Sequence, residues 1–272
     1  MKRLDVVFAL TLSSLASFVA FEAYSMRVDK ASRHLVGAAG SNAETPVVPV
    51  APVRMASSAG VALPTSVVRA PRSATRRASA NPEAAARLAA SAPGTYIGEV
   101  LASHDSSIAR WPDRRLQPLR VWVQPLGRIQ DWNPSSVAIV RNAFMDWADT
   151  GIPLAFTFVL DSASADVRVS WIDRFSEPIS GKTLWSHDDR WLILEASIVL
   201  AVHHRTGETL DSAATRAIAL HEIGHLIGLD HTADSTSIMT PRVRVKNLSA
   251  ADVATAQLLY TLPPGRVGDT RN

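Results

Sequence analysis

Three histidines and one glutamate stand within eleven residues, in His221-Glu222-Ile223-Gly224-His225-Leu226-Ile227-Gly228-Leu229-Asp230-His231. On a helix, positions four apart lie about 40° apart around the axis, so the rings of His221 and His225 point the same way. Glu222 is one step round, where its carboxylate can reach a water at a metal without being a ligand itself. Glycine adopts positive φ at little cost, so Gly228 can end the helix and let the chain turn to bring back His231. Three protein ligands leave one position open, which is the catalytic rather than the structural zinc arrangement. A bare HExxH can be no more than a solvated helix face. Here Ile223, Leu226, Ile227 and Leu229 make the segment apolar, so the helix belongs in a core, and histidines buried there need a partner.

The elements that must position these groups begin near residue 116. Leu119-Arg120-Val121-Trp122-Val123 alternates and reads as a strand. Asp131 or Asn133 can cap a helix with Pro134 in its first turn, and Val137, Val140, Ala143, Phe144 and Trp147 fall at helical spacing. Phe156-Thr157-Phe158-Val159, residues 166–171 and residues 192–202 read as further strands, and residues 213–227 as the motif helix. Gly181-Lys182-Thr183-Leu184-Trp185-Ser186 is either an edge strand or a plain loop. The order describes an α+β domain, a twisted mixed sheet backed by two long helices with one further helix at the end.

The chain before this domain has a different character. Lys2 and Arg3 precede an apolar run from Val6 to Phe21, and Ala23-Tyr24-Ser25 has the form of a small-x-small cleavage site. Residues 1–25 therefore read as a signal peptide, or as a signal anchor in which residues 4–24 hold the protein at the inner membrane. Either form exports the remainder of the chain, to the periplasm or beyond. Residues 26–110 are rich in Ala, Pro, Ser and Arg and read as a disordered linker or propeptide-like segment, with a short helix open to Pro82 and the alanines after it. The catalytic domain is placed at 111–262 and a tail at 263–272.

Residues 1–118 carry 14 Lys and Arg against 8 Asp and Glu, while 119–272 carry 14 against 17. The basic excess thus lies outside the folded part, which argues against nucleic acid as a partner. With no cysteine in the chain, disulfides and thiolate metal sites are excluded.

The zinc motif, together with Ser237-Ile238-Met239-Thr240-Pro241 a short loop after it, resembles the matrixins, the matrix-metalloproteinase family within the metzincin clan. Leu248-Ser249-Ala250-Ala251-Asp252-Val253 opens a last helix, as matrixin catalytic domains close. The resemblance implies a metzincin (zincin-like) fold and a secreted protease acting on protein or peptide substrates, as on extracellular matrix. It implies one catalytic zinc on His221, His225 and His231, Glu222 as general base, Met239 as the Met-turn beneath the metal, and Thr240, Pro241 and Arg242 along the specificity pocket. It implies that residues 181–186 edge the cleft, and it makes calcium a further candidate, although no EF-hand-like spacing supports it.

Thr232 replaces the more usual serine after the third histidine. Without cysteine, the family's cysteine switch cannot operate. A residue laid across the cleft could still give latency; His104 and Asp105 can coordinate zinc, but neither sits in a motif and an exposed loop is the simpler reading. For a second, structural zinc the candidates are His187-Asp188-Asp189 and His203-His204, whose spacing fits poorly. Two other classes stay open: a binding scaffold that keeps zinc as a clamp, and a membrane-anchored interaction protein whose linker is the functional part. Oligomeric state and natural substrate are not legible.

Overall fold

The computed structural model describes residues 63–64, 66–67 and 82–268, all within the compact unit Ser58–Asn272. The expected signal segment, residues 1–25, lies outside the described residues. Five strands form the sheet that carries the site: β4 (Leu119–Val123), β5 (Phe156–Phe158), β6 (Val167–Ile172), β7 (Gly181–His187) and β8 (Ile193–Ala201), in the order β7-β8-β6-β4-β5. β8, β6, β4 and β5 are mutually parallel, and β7 is antiparallel to β8. Along β4, Leu119, Val121 and Val123 are buried while Arg120 is exposed, as the alternation requires. Val167, Val169 and Trp171 repeat the pattern in β6. Two two-residue strands, β1 (Leu63–Pro64) and β2 (Ser66–Val67), lie ahead of these, and β2 is added to the free side of β7.

Two long helices back the sheet. The first, Ser135–Ala148, buries Val140, Ala143, Phe144 and Trp147, the face that the spacing predicts. Ahead of it Asn133 Oδ1 accepts from the Ser135 amide at 2.9 Å in a turn, with Pro134 at the N-cap position. The second, Ser212–Leu226, begins where Asp211 Oδ1 accepts from the Ala214 amide at 2.7 Å, and it buries every residue from 217 to 226. Trp147 Nε1 donates to the carbonyl of Leu220 at 2.9 Å, tying the two together inside the core. Gly228, at φ +106°, lets the chain leave the second helix, and a side chain there would collide with the carbonyl of Ala109. The carbonyls left open at that helix end are taken by distant residues: Trp111 Nε1 bonds Leu226 O at 3.0 Å and the Tyr260 hydroxyl bonds Ile227 O at 3.1 Å.

The expected boundary at 110/111 falls inside the folded unit. The short helix open to Pro82 is present as α1 (Pro82–Ala90). It is followed by α2 (Ile97–Ser103), whose Ile97, Val100 and Leu101 are buried in the core. Tyr96, Ile108 and Ala109 are buried there too, so the segment up to 110 is not a disordered linker throughout. We label the two long helices α3 (Ser135–Ala148) and α4 (Ser212–Leu226), and the last helix α5 (Ala250–Thr261). Ser249 and Asp252 cap α5 reciprocally, the signature that Leu248-Ser249-Ala250-Ala251-Asp252 carries. Past it, β10 (Gly265–Arg266) pairs with β3 (Ser107–Ile108), so the start of the expected tail is also part of the fold. No helix among the described residues is long and apolar enough to cross a membrane.

Candidate metal centre

His221 and His225 lie on the last turns of α4 and are fully buried. Each ring is fixed by its Nδ1, that of His221 against the carbonyl of Ile238 at 2.6 Å and that of His225 against the carbonyl of Leu229 at 3.1 Å. A carbonyl can only accept, so each Nδ1 carries the proton and each Nε2 presents a lone pair. The two Nε2 atoms stand 2.9 Å apart. Beyond Gly228 the chain brings His231 to the same point, with one ligand atom from each of the three rings within 4.8 Å of the others. Burial holds all three imidazoles below their ordinary pKa, and their mutual proximity adds to it for His221 and His225, the latter falling to about 3. They are therefore neutral at physiological pH, the state in which histidine binds a cation.

Glu222, next to His221, is fully buried, and burial pushes its carboxyl up to about 8, against the lowering effect of a bond from Thr183. Thr183 Oγ1 donates to Oε2 at 2.6 Å and lies 3.0 Å from the Glu222 carbonyl. Two buried atoms here have no hydrogen-bond partner: Oε1 of Glu222 and Nε2 of His231. With the His231 proton on Nδ1, a cation at Nε2 and a water beside it would satisfy both, so the residues fit zinc. Met239 is fully buried against Gly224 of α4, and its carbonyl accepts from the Thr232 amide at 3.1 Å. The same turn supplies the Ile238 carbonyl that orients His221.

Gly181–His187 is a strand, not a loop, and Thr183 and Trp185 are on its buried face. β9 (Arg242–Val243) follows the Met239 turn. The chain's own earlier segment uses both: β1 pairs antiparallel with β9, and β2 pairs parallel with Lys182 and Thr183. Thr240 is buried, its hydroxyl turned back onto the Arg242 carbonyl at 2.9 Å, whereas Pro241 and Arg242 are exposed.

Other sequence candidates are occupied elsewhere. His187 stacks on Trp191 at 4.4 Å, and the Asp188 carboxylate accepts from the amides of Arg190 and Leu192, forming a turn. His203 is buried with Nδ1 2.7 Å from Asp173 and Nε2 3.2 Å from Asp131, so neither nitrogen is turned to a shared site with His187. His221, His225 and His231 form the one metal-competent group among the described residues. His104 is not in an exposed loop: it is buried and its Nε2 contacts Asp230 Oδ2 at 3.1 Å, while Asp105 is exposed at a turn with φ 52°. Thr183 had no signal of its own in the sequence. Gly181 could have been singled out, because a glycine opening an alternating strand marks a close approach.

An α+β domain that gathers three neutral imidazoles from one helix and its following turn, with a buried carboxylate beside them, is of the metal-centred kind that zinc hydrolases use. Residues 173–261 match the matrixin family, and the chain is matrixin-like. It is 28% identical over 138 residues to metalloendoproteinase 4-MMP of Arabidopsis thaliana, an alignment covering 46% of this chain and 40% of that protein. It is 30% identical over 152 residues to matrix metalloproteinase-26 of Homo sapiens, covering 48% and 53%. It is 35% identical over 139 residues to matrix metalloproteinase-19 of Homo sapiens, covering 45% and 25%. The chain thus spans about half or less of the length of these relatives.

Proposed function

We propose that this protein is a zinc-dependent endopeptidase that hydrolyses peptide bonds of protein substrates, with Glu222 as general base. The convergence of three neutral imidazoles beside the unpartnered Oε1 of Glu222 carries this reading. His221, His225 and His231 would hold the metal, and zinc bound there supplies a Lewis acid that polarises a carbonyl and acidifies water. Burial favours the protonated form of Glu222, and a cation bound beside it would favour the carboxylate; Thr183 then keeps one oxygen in place and leaves the other to take a proton from water and return it to the leaving amine. With β1 and β2 displaced, the backbone of β7 and β9 would hold an extended peptide without reading its side chains, and Pro241 and Arg242 would line the pocket that does read them. Calcium belongs to this proposal only as a family expectation, since nothing in the described residues favours a site for it.

We read the protein as exported and of bacterial type, on the strength of Lys2, Arg3 and the apolar run from Val6 to Phe21. Retention of residues 4–24 would anchor it to the inner membrane. The test is a paired measurement on the full chain, wild type and Glu222→Gln, of zinc content and of cleavage in a mixed peptide library. Both should hold zinc, and the variant should lose roughly 100- to 10,000-fold in rate. A fully active Glu222→Gln protein would remove the mechanism.

A further inference from the structure

The third ligand differs from the first two. His221 and His225 sit on a helix and each has its Nδ1 bonded to a carbonyl, whereas His231 lies on a loop, and its Nδ1 stands 4.0 Å from Asp230 Oδ1, beyond a hydrogen bond. The ring's direction therefore depends on the backbone of residues 230–233. That backbone is held from a part of the chain more than 120 positions earlier, since the contacts to it span 133 and 134 residues.

We infer that His104 and Glu99, on and just past α2, are positioning residues for the metal ligand His231. His104 Nε2 contacts Asp230 Oδ2 at 3.1 Å, and Asp230 Oδ1 in turn accepts from the His231 amide at 2.7 Å. Glu99 Oε1 accepts from the Thr232 hydroxyl at 3.1 Å, and Oε2 accepts from the Ala233 amide at 2.8 Å. The carboxylates of Asp230 and Glu99 thus grip the loop on both sides of the ligand.

α2 is a rigid base for this grip. Ile97, Val100 and Leu101 are buried in the core, and at its start the Tyr96 amide donates to Thr255 Oγ1 at 3.0 Å and the Tyr96 hydroxyl to Asp252 Oδ1 at 3.0 Å. Asp252 also accepts from Ser237 Oγ and from the Ile238 amide, and Ile238 carries the carbonyl that orients His221. His104 is buried and meets the Trp185 ring of β7 edge-on, with centroids 6.1 Å apart. One short helix therefore joins the ligand loop, β7 and the last helix. Partners that orient ligands tune affinity without touching the metal, and their loss costs on the order of 10- to 100-fold.

This inference rests on the zinc reading above. The test uses the full chain as wild type, His104→Ala, Glu99→Ala and Glu99→Gln. Three quantities are read: the zinc dissociation constant by chelator competition, the visible absorption of the cobalt-loaded protein, and the melting temperature of the metal-free protein. Both alanine variants should weaken zinc on the order of 10- to 100-fold and alter the cobalt bands. Glu99 is solvent-facing, so Glu99→Ala should leave the metal-free melting temperature near wild type even if His104→Ala, at a buried site, lowers it. Glu99→Gln keeps one acceptor oxygen and should recover part of the affinity. Wild-type zinc affinity and cobalt spectrum in Glu99→Ala would overturn the positioning role while leaving the zinc reading intact. A wild-type protein that binds no zinc would overturn both.

Discussion

Replacing Gly181 by alanine tests whether the placement of Glu222 matters as much as its presence. A Cβ at Gly181 would stand 2.5 Å from Oε1, 2.7 Å from Cγ and 2.8 Å from Cδ of Glu222. Ordinary contact between heavy atoms begins near about 3.5 Å, so one partner must give by about 1 Å. The strand is paired to β8 at this position, Gly181 opposite Leu200, so the carboxylate is the softer partner. Its escape is limited because Thr183 holds Oε2 and the side chain is fully buried. A 1 Å misplacement of a reacting group can cost on the order of 100-fold in rate, equivalent to about 2.7 kcal/mol in the barrier. Gly181 is not in the left-handed region, so alanine meets no backbone penalty there. The assay is steady-state cleavage of one peptide taken from the library, with zinc content and a thermal melt on the same samples. The expected result is kcat down by roughly two orders of magnitude, KM changed little and zinc retained. A kcat within about threefold of wild type, with zinc in place, would refute the claim that the tight approach of β7 fixes the base.

Stripping zinc with a chelator should lower the melting temperature by about 10 °C, since a ligand at 1,000 times its Kd contributes about 4 kcal/mol; identical melts with and without metal would contradict a bound resident ion. Asp166 accepts two bonds from the Arg120 side chain, at 2.8 and 3.1 Å, and one from its amide at 2.9 Å. Burial acts to raise its carboxyl, but the bonds to Arg120 outweigh it and hold the group below its ordinary value. A depressed carboxyl gives stability above its unfolded pKa of about 3.9 that is lost as pH falls through the folded value, so the melting gap between wild type and Asp166→Asn should be open at neutral pH and close in acid. A gap of the same size at both ends would show that the ion pair is not its origin. The strand β2 lies on the edge that a substrate would use, so a Ser66→Pro, Val67→Pro double variant, which removes whichever of the two amides faces β7, should speed peptide cleavage by the full chain by about fivefold or more. Equal rates would mean that the segment leaves the groove without cost.

The grouping of the three histidines was legible because it is local. Four-residue spacing, a glycine and a third histidine are sufficient to place all the imidazoles, and Gly228 has the positive φ that its position implies. The strands and long helices were legible from periodicity, with Val140, Phe144 and Trp147 buried as their spacing requires. The groups that act through distance were not. Thr183 approaches Glu222 only because β7 lies across α4, and no local pattern encodes a contact between residues 39 positions apart. The segment around α2 was hidden by its surroundings: Ile97, Val100 and Leu101 have helical spacing, but they come after a long Ala- and Pro-rich stretch whose composition argues for disorder. For the same reason His104 offered itself as a metal ligand, when its nitrogen is directed to Asp230.

The helix that carries two of the ligands is finished by residues on both sides of it in the chain. Trp111 closes the Leu226 carbonyl from 115 positions upstream, and Tyr260 closes the Ile227 carbonyl from 33 positions downstream. A nascent chain emerging from the ribosome therefore has every histidine of the motif while the end of their helix still faces unmet demand for a donor. The closure of the helix end waits for the last helix, which supplies the Tyr260 hydroxyl. A chain ended before Tyr260 should accordingly bind zinc weakly and be cut readily by an added protease, whereas tight zinc binding by that truncated chain would separate the site from the closure of its helix.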